Sequence, residues 1–307
     1  MSRRNYRVGR RKALGLSLIE LMIAILIGLL VSAAAISLFI SNRQIYRSAE
    51  SLGRIQENLR VSFELMAHDL RGAGGNPCDA STGTDAPPFY NLVNNFASNW
   101  WSNLGAGGGV VSYDDGALTG THAGSDAIEV LYAEDSGARS LDTQASPTTA
   151  LALNDGAANL QNGQLVVACD FRQSALFAAS LSGTSLAAPT GLLSTFRKNT
   201  IIADYKAQRW YVADNNHGGR SLFRQQLVTS GGVPSVGAAE EVIDGVDNMQ
   251  LQYLVGSAWV DGAANLSGAR AVRVTLDLEG NEANVGTDGQ PLRRTLTHTI
   301  ALRSRAR

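Results

Sequence analysis

The feature that most constrains this chain is an apolar run near its N-terminus. Residues 21–40 are 20 consecutive positions without a charge or a proline. As an α-helix, such a segment spans about 30 Å, the thickness of the hydrocarbon core of a bilayer. The run is longer than the apolar core of an ordinary cleaved secretory signal. Its simplest interpretation is an uncleaved signal anchor that crosses a membrane once.

Basic residues are concentrated before the apolar run. The first twelve positions hold six of the 26 Lys and Arg residues and no Asp or Glu. These are Arg3, Arg4, Arg7, Arg10, Arg11 and Lys12. Positive charge beside a membrane segment stays on the cytoplasmic side, so we expect the part of the chain beyond residue 40 to be exported.

The composition of the whole chain indicates a folded body. Hydrophobic residues make up 44% and charged residues 17% of the chain, which is not the composition of a disordered protein. Outside the basic start, the other 20 basic residues face 27 acidic ones. This balance argues against a general nucleic-acid binder, so no specific nucleic acid is expected as a partner.

Glu20 is the residue that a plain anchor does not explain. It lies one turn into the apolar segment, where an unpaired carboxylate costs roughly 2–4 kcal/mol or more. Acidic residues in such positions usually have a partner and a function.

The basic start, Gly15, Leu16 and Glu20 together resemble the class III signal of type IV prepilins. That signal has a basic leader, a Gly at the cleavage point, an apolar first mature residue and a Glu at the fifth mature position. The resemblance implies cleavage between Gly15 and Leu16 by prepilin peptidase on the cytoplasmic face, and N-methylation of Leu16. The chain departs from the family in one respect, because Leu16 stands where Phe is usual.

The same resemblance gives Glu20 a role in assembly. Cleavage exposes a positive amine on Leu16, which can approach the Glu20 carboxylate of a neighbouring subunit. In a medium of low dielectric constant this attraction can offset the cost of desolvating both charges. Glu20 is therefore expected to set the axial register of subunits as they leave the bilayer.

A helical pattern continues beyond the membrane run, and no proline occurs before Pro77. The apolar or small positions are Ile45, Ala49, Leu52, Leu59, Phe63, Met66 and Leu70, with one turn skipped near Gln56. The opposite face carries Arg43, Arg47, Glu50, Arg54, Glu57, Arg60 and Glu64. This spacing predicts an amphipathic helix that packs on its own head, stopped by Gly72, Gly74, Gly75 and Pro77. Residues 16–71 would form about 84 Å of helix.

The rest of the chain is predicted to be β-rich. Short β-rich runs occur at residues 127–132, 164–168, 208–212, 221–227 and 249–255. Val272, Val274, Leu276 and Leu278 alternate with polar residues, which indicates a strand with one buried face. Leu296, His298, Ile300 and Leu302 share one side of a last strand. Residues 238–246 are predicted as a short helix, and residues 77–126 and 141–160 as long surface loops.

These patterns predict an α+β fold with four parts. They are a cleaved leader at 1–15, the transmembrane half of the helix at 16–40, its amphipathic half at 41–76 and a β-rich periplasmic head at 77–307. A long helical spine packed on a β-rich head is the type IV pilin-like architecture that the resemblance implies.

Segments of the head resemble the PilW family of minor pilins. They are ELMAHDLRGAG at 64–74, SDAIEVLYA at 125–133, QLVVACDF at 164–171, a GG-x-SLFR run at 218–224 and VDNMQLQYLV at 246–255. The resemblance implies a subunit that primes type IV pilus assembly at or near the tip and supports twitching motility and adhesion. The implied partners are the other minor pilins, the major pilin, prepilin peptidase, the inner-membrane assembly platform and a PilY-type tip adhesin. The protein would lie in the bacterial inner membrane before assembly and on the cell-surface pilus afterwards.

Two alternatives to a pilus subunit stay open at this point. A minor pseudopilin of type II secretion shares the leader, the spine and the β head. A membrane-anchored periplasmic enzyme is the other, because GTSLAAPTG at 183–191 matches the serine motif of subtilisin-like proteases, with Ser185 as the nucleophile and Asp135 as the aspartate. That chemistry needs a His to accept the serine proton, and neither His122 nor His217 lies between Asp135 and Ser185 as the family order requires.

Other sequence patterns do not indicate a metal, phosphate or calcium site. The four histidines, His68, His122, His217 and His298, have no ligand spacing. The GAGGG run at 105–109 lacks the Lys-Ser/Thr of a phosphate loop, and Asp244 and Asp247 do not fit the calcium-loop pattern. We therefore expect no catalytic residue, no cofactor and no metal.

The two cysteines, Cys78 and Cys169, allow two interpretations. They are either unrelated buried thiols or, in an oxidising exported compartment, a disulfide that ties the end of the spine to the head. A bridge across 91 positions would contribute roughly 4–5 kcal/mol on the chain-entropy model.

Replacing Gly15 tests the prepilin assignment. Gly15→Leu places a bulky side chain at the scissile bond, so most of the protein should keep its 15-residue leader. Mass spectrometry of the N-terminal peptide from membranes measures this, with Gly9→Leu, inside the leader, as the control that should be processed normally. Normal cleavage of Gly15→Leu would contradict the assignment of a prepilin signal.

Overall fold

The computed structural model describes residues 17–75, 77–78, 88–93, 99–102, 109–262, 266, 268–280 and 290–305. The predicted leader at 1–15, Leu16 and most of the GAGGG run lie outside the described residues. The rest of the predicted spine and most of the predicted head lie within them.

One long helix, α1, spans Leu18–Gly72 and is 55 residues long. Its sequence has no proline and few glycines, so nothing interrupts the hydrogen-bond ladder. The helix ends at Gly72, because Ala73 takes a non-helical ψ of 125° and Gly74 a positive φ of 69°. Gly72 itself lies against the head, since a Cβ there would be 2.9 Å from Cδ2 of Tyr132. The helix predicted for residues 16–71 is confirmed within the accuracy of helix ends.

The strands follow the helix in the chain. In order they are β1 (Phe89–Asn91), β2 (Val110–Tyr113), β3 (Ala127–Arg139), β4 (Leu151–Ala152), β5 (Leu165–Asp170), β6 (Gln173–Ala178), β7 (Ser180–Ser182), β8 (Ser185–Ala187), β9 (Ile201–Asp214), β10 (Arg220–Ser230), β11 (Val233–Val236), β12 (Glu240–Asp244), β13 (Val246–Val255), β14 (Ala258–Asp261), β15 (Ala269–Glu279) and β16 (Arg293–Ala301). Short 3-10 helices lie at Trp100–Ser102, Asp155–Asn159 and Arg303–Arg305. The predicted arrangement of one long N-terminal apolar helix followed by a β-rich head is confirmed.

The largest sheet is organised around β9. One edge of β9 pairs with β3 along its length. The other edge pairs with β5 near its start and with β10 near its end. Strands β2, β6, β1, β12 and β11 extend this sheet on the outside. Because β9 has partner strands on both of its edges, it is the central strand of this sheet.

Two smaller sheets complete the described part of the head. Strands β14, β13, β15 and β16 form an antiparallel sheet in that order, and β4, β8 and β7 form a third. In β15 the predicted inward positions Val272, Val274, Leu276 and Leu278 are all buried. The period-2 pattern therefore identified this strand and its buried face correctly.

The main core lies between α1 and the two larger sheets. Leu59, Met66 and Leu70 of the helix pack in one cluster with Trp210 of β9 and Val274 of β15. Burial of large aliphatic and aromatic side chains contributes about 1.5–3 kcal/mol each, so this seam holds the spine on the head. A second cluster, which includes Leu153, Phe177 and Phe196, fills the lobe around the third sheet.

The buried stripe of the helix differs from the predicted one at its lower end. Ile45 is 62% exposed and Ala49 is exposed, whereas Ser51 and Ile55 are buried. The head begins to cover the helix only at Ser51, where Gly280 comes so close that a Cβ would lie 2.8 Å from the Ser51 Oγ. The prediction skipped a turn near Gln56 because it overlooked Ile55.

Two local predictions are wrong. The predicted helix at 238–246 is strand β12, paired to β10, and Gly245 at φ 79° separates β12 from β13. Pairing to a neighbouring strand overrides the local helical preference here. The predicted loops at 77–126 and 141–160 contain β1, β2, β4 and two of the 3-10 helices. On the shared side predicted for the last strand, Ile300 and Leu302 are buried, whereas Leu296 and His298 are exposed.

A buried carboxylate fixes the upper end of the helix to the head. Asp69 is 4% exposed. Its Oδ1 accepts a hydrogen bond from the Tyr132 hydroxyl at 2.9 Å, and its Oδ2 accepts one from Nε1 of Trp210 at 2.9 Å. Burial and the nearby Asp69 charge raise the pKa of Tyr132, which keeps the hydroxyl proton available for this bond. The three side chains link α1 to the two central strands β3 and β9.

Replacement of Asp69 should loosen the spine from the head. Asp69→Ala leaves the Tyr132 hydroxyl and the Trp210 N–H without an acceptor, which should cost about 3 kcal/mol or more. Asp69→Asn keeps one acceptor and should cost less. Thermal unfolding of the full chain in detergent measures both, with the exposed Glu64→Ala as the control. Equal stability of Asp69→Ala and the control would contradict the role of this cluster.

Candidate functional site

The N-terminal turn of α1 carries Glu20, the residue predicted to set assembly register. Ser17 caps the helix: its Oγ accepts the Glu20 N–H at 3.2 Å, and the Glu20 carboxylate accepts the Ser17 N–H at 3.5 Å. An acidic side chain in this position also interacts favourably with the positive end of the helix dipole. The single chain thus offers Glu20 a weak local partner, and the carboxylate stays exposed.

The first half of α1 has no protein partner in the single chain. The described residues include one helix long and apolar enough to cross a membrane, with a mean hydropathy of 2.8 in its apolar window and none of that window buried. Ile23 and Leu30 are 53% and 64% exposed. An apolar surface of this extent is stable in lipid or against other apolar helices, not in water. The motif and this helix together indicate membrane anchoring.

The second half of α1 ends in a junction that fixes it to the head at several points. The backbone after the helix continues into the large sheet, since the Gly74 N–H donates to the Leu131 carbonyl and the Ala133 N–H donates to the Gly75 carbonyl. Ser304, near the other end of the chain, donates to the Ala73 carbonyl at 2.6 Å. These bonds make the helix end and the central sheet one mechanical unit.

The two cysteines meet at the same junction. The Cys78 and Cys169 sulfurs are bonded at 1.99 Å with their Cα atoms 5.8 Å apart. Cys169 is fully buried in β5, and β5 pairs with β9. The bridge therefore ties the segment after the helix to the strand system that also carries Trp210. Its formation in the exported protein stays a prediction.

The predicted protease residues occupy unrelated settings. Ser185 lies half-buried on β8, paired with Ala152 and Ser182. Asp135 is held by two hydrogen bonds from the Arg139 guanidinium at 2.6 and 2.7 Å, which lower the pKa of Asp135. Its partner is thus a guanidinium and not an imidazole, so the structure offers no support for a triad.

The histidines and the two other acidic residues named above also have structural neighbours. His68 lies 3.5 Å from both Asp69 and Glu134, and the His298 ring is 4.5 Å from the Phe63 ring. Asp247 pairs with Arg220 at 2.6 Å. Within the described residues no group of three or more His, Cys, Asp or Glu side chains is placed to hold a metal ion.

The residues that matter most at the junction were missed in the sequence. Asp69 and Tyr132 lie in segments quoted for the family resemblance, but no role was assigned to them or to Trp210. One signal was present, because Asp69 lies between Met66 and Leu70 on the apolar side of the helix, where an acidic residue needs a polar partner. The partners, Tyr132 on β3 and Trp210 on β9, could not be identified from the sequence pattern.

A second buried charge in the large sheet was also missed. Glu129 is 1% exposed, and Arg209 on the neighbouring strand donates to its carboxylate from Nε at 2.9 Å and Nη2 at 2.6 Å. Burial raises the pKa of Glu129, and the Arg209 charge opposes this shift. The guanidinium also lies 4.4 Å from the Trp100 ring, which holds the Trp100–Ser102 turn on the sheet.

Comparison with known proteins gives a short, specific match. The prokaryotic N-terminal methylation motif matches residues 10–36, a range that includes Gly15, Leu16 and Glu20. No curated protein shows significant similarity to the chain. Among solved structures, a type IV-like pilin from Thermus thermophilus aligns with a TM-score of 0.35 and 10% identity, over 83% of this chain and 98% of that one. The prepilin-like character of the N-terminus therefore rests on the motif, and the helix-plus-head architecture on the structure itself.

Loss of the disulfide should weaken the junction. Replacing both Cys78 and Cys169 with Ala should lower the free energy of unfolding by up to about 4–5 kcal/mol. Thermal unfolding with and without reductant measures this: the wild type should lose stability on reduction, and the double variant, as the matched control, should not respond. Free thiols at both positions in non-reducing peptide maps of the exported protein would contradict the bridge.

Proposed function

We propose that this protein is a subunit of a type IV pilus, a PilW-like minor pilin that primes filament assembly and lies at or near the tip. The observation that carries the proposal is the continuous helix α1. Its apolar half is exposed and overlaps a prepilin-type methylation motif. Its other half packs against a β-rich head. One rigid element thus connects a membrane segment to an exported domain.

This architecture supports a cycle of anchoring and release. The apolar half holds the subunit in the inner membrane, with the basic leader in the cytoplasm, until prepilin peptidase removes the leader. On assembly, lipid around the apolar half is replaced by the apolar helices of neighbouring subunits, so little apolar surface meets water at any stage. The work is insertion, register and subunit contact, and the motif and architecture point to a structural protein and not an enzyme.

Glu20 supplies selectivity to this exchange. Its contact with the Ser17 N–H is long, at 3.5 Å, so a stronger partner can replace it. The methylated amine of Leu16 from a neighbour is such a partner in the proposal. A charge-assisted bond in a medium of low dielectric constant is stronger than the local cap, which favours one axial position of the two helices.

The segments that resemble PilW support the choice of a pilus over a secretion system. Four of them coincide with α1's end, β3, β5 and β13, and the fifth runs into β10. The end of α1 packs against β3, and Leu222 of β10 and Met249 of β13 belong to the same core cluster as Leu70 of the helix. The proposed partners are the other minor pilins, the major pilin, the assembly platform and a PilY-type tip adhesin. A minor pseudopilin of type II secretion is the second candidate, because it would use the same motif and helix.

Fractionation separates these two candidates. A tagged full-length chain, expressed from its own locus, should be found by mass spectrometry in sheared and purified pili. Deletion of the chain should then reduce pilus number while protein secretion continues. Recovery only with a secretion pseudopilus, and loss of secretion on deletion, would replace the pilus proposal with the pseudopilin.

Two substitutions of Glu20 test the register role. Glu20→Ala removes both the cap and the charge, whereas Glu20→Gln keeps a side chain that can accept the Ser17 N–H and removes only the charge. If pairing to a neighbour's amine matters, both variants should be inserted and cleaved but should enter filaments at least about tenfold less, since leaving a buried charge unpaired costs several kcal/mol. The ratio of the variant in sheared pili to that in membranes is measured. Wild-type incorporation of Glu20→Gln would show that the charge has no pairing role in this subunit.

A further inference from the structure

The head has two ends, and the helix shows which of them faces the membrane. A cavity beside Ser51, Arg54, Ile55 and Asn58 of α1 shares Asp244, Glu279 and Gly280 with a larger cleft. Ser51 is the point at which the head begins to cover the helix, so this cleft lies at the end of the head that faces the membrane. Asp214, the last residue of β9, also lines it. The first residue of β9, Ile201, is about 45 Å further along the strand and marks the opposite end.

The membrane-facing end is an acidic cleft of about 810 Å³. We define this acidic cleft by Asp214, Asp244, Asp247 and Glu279 with Arg220, so that four carboxylates face one guanidinium. Arg220 pairs with Asp247 at 2.6 Å, and Arg293, outside the lining, pairs with Glu279 at 3.1 Å. The side chain of Asp214 is 82% exposed and lies 4.0 Å from Arg220 and 3.6 Å from His122. The cleft is open, polar and rich in acceptors for basic side chains.

The far end carries a protruding basic platform, defined by Phe171, Arg172, Arg197 and Lys198. Phe171 lies at the tip of the turn between β5 and β6 and is 68% exposed. The Arg197 guanidinium lies 5.2 Å from the centre of its ring. Among the described residues neither Arg197 nor Lys198 forms an ion pair. Arg172 lies 3.8 Å from the Asp170 carboxylate.

Asp170 holds this platform in place from below. It is 8% exposed, and its carboxylate accepts the backbone N–H groups of Arg172 at 2.8 Å, Gln173 at 3.1 Å and Arg197 at 3.4 Å. Two separate chain segments are thereby clamped to one buried group. A pre-ordered surface that combines an exposed aromatic ring with cations loses little conformational entropy on binding, which is typical of a contact hot spot.

We propose that the basic platform of one copy of this chain docks into the acidic cleft of a second copy placed further along the filament axis. The complementary charges belong to opposite ends of the same head. A head-to-tail contact of this kind uses two different surfaces and does not close on itself, so it can continue along a line. The proposal rests on the proposed function, and it specifies that at least two copies stack in a filament.

The membrane anchor limits where this contact forms. Two subunits anchored in one bilayer hold their heads at the same height, so the platform of one cannot reach the cleft of the other. The contact needs an axial offset of about the length of the head. It should therefore appear in assembled filaments and be absent from the membrane pool.

Cross-linking between two tagged full-length copies tests the contact. One copy carries Lys198→Cys on the platform and the other carries His217→Cys, an exposed residue that lines the cleft. A short bismaleimide leaves the native disulfide intact. We expect an adduct with both tags in sheared filaments and none in membranes.

Substitutions in the Lys198→Cys copy test the chemistry. Phe171→Ala and Arg197→Glu should each reduce the adduct about fivefold or more. Val233→Ala, at a residue 62% exposed, and Arg270→Glu, on the other sheet, are the matched controls and should have no effect. Asp214→Arg in the cleft copy should restore part of the adduct lost with Arg197→Glu. An intact Cys78–Cys169 bridge in each variant shows that the head is folded.

The outcomes separate the two proposals. A chain that is absent from filaments overturns the proposed function and this contact with it. A chain that is present in filaments without mixed-tag adducts, or with adducts insensitive to Phe171→Ala and Arg197→Glu, overturns only the contact. Adducts formed solely with a different subunit also overturn it, because the partner would then not be a second copy.

Discussion

The bond between Asp69 and the side chains of Tyr132 and Trp210 is the interaction on which the rest of this structure depends. The N-terminal half of the helix has no contact with the head, so the helix is held in the structure by its C-terminal half. Apolar packing along Leu59, Met66 and Leu70 supplies the attraction, but such packing is not directional. The carboxylate supplies the direction, because its two oxygens fit two donors on two different strands. It fixes how far the helix is turned and how far it is advanced along the head.

The end of the helix is connected to several strands of the central sheet. Trp210 lies on β9, and β9 pairs with β3, β5 and β10. Cys169 lies on β5, and the segment after the helix is bonded to β3. A force applied to the helix is therefore passed to β9 through both of its edges.

The N-terminal end of the helix has the opposite character, because its interactions are weak and exchangeable. Lipid and other apolar helices are nearly equivalent surroundings for residues such as Ile23 and Leu30, so transfer between them costs little. Glu20 is the exception, since a carboxylate gains much more from a cation than from its local cap. The helix thus has a strong, fixed contact at the head and weak, replaceable contacts at its N-terminal end.

The sequence by itself determined the long helix, the membrane segment, the motif around Gly15 and Glu20, and strand β15, because each rests on a local signal: hydropathy, spacing or alternation of period two. It also suggested, with an alternative, that Cys78 and Cys169 could meet. Only the tertiary structure decided that Ser51 and Ile55 begin the contact with the head and that residues 240–244 pair as a strand. It alone brought Asp69 to Tyr132 and Trp210, and placed an acidic cleft and a basic platform at opposite ends of β9. These features join residues far apart in the chain, and which distant residues become neighbours is set by how the sheets and the helix pack together, a property that no local pattern contains.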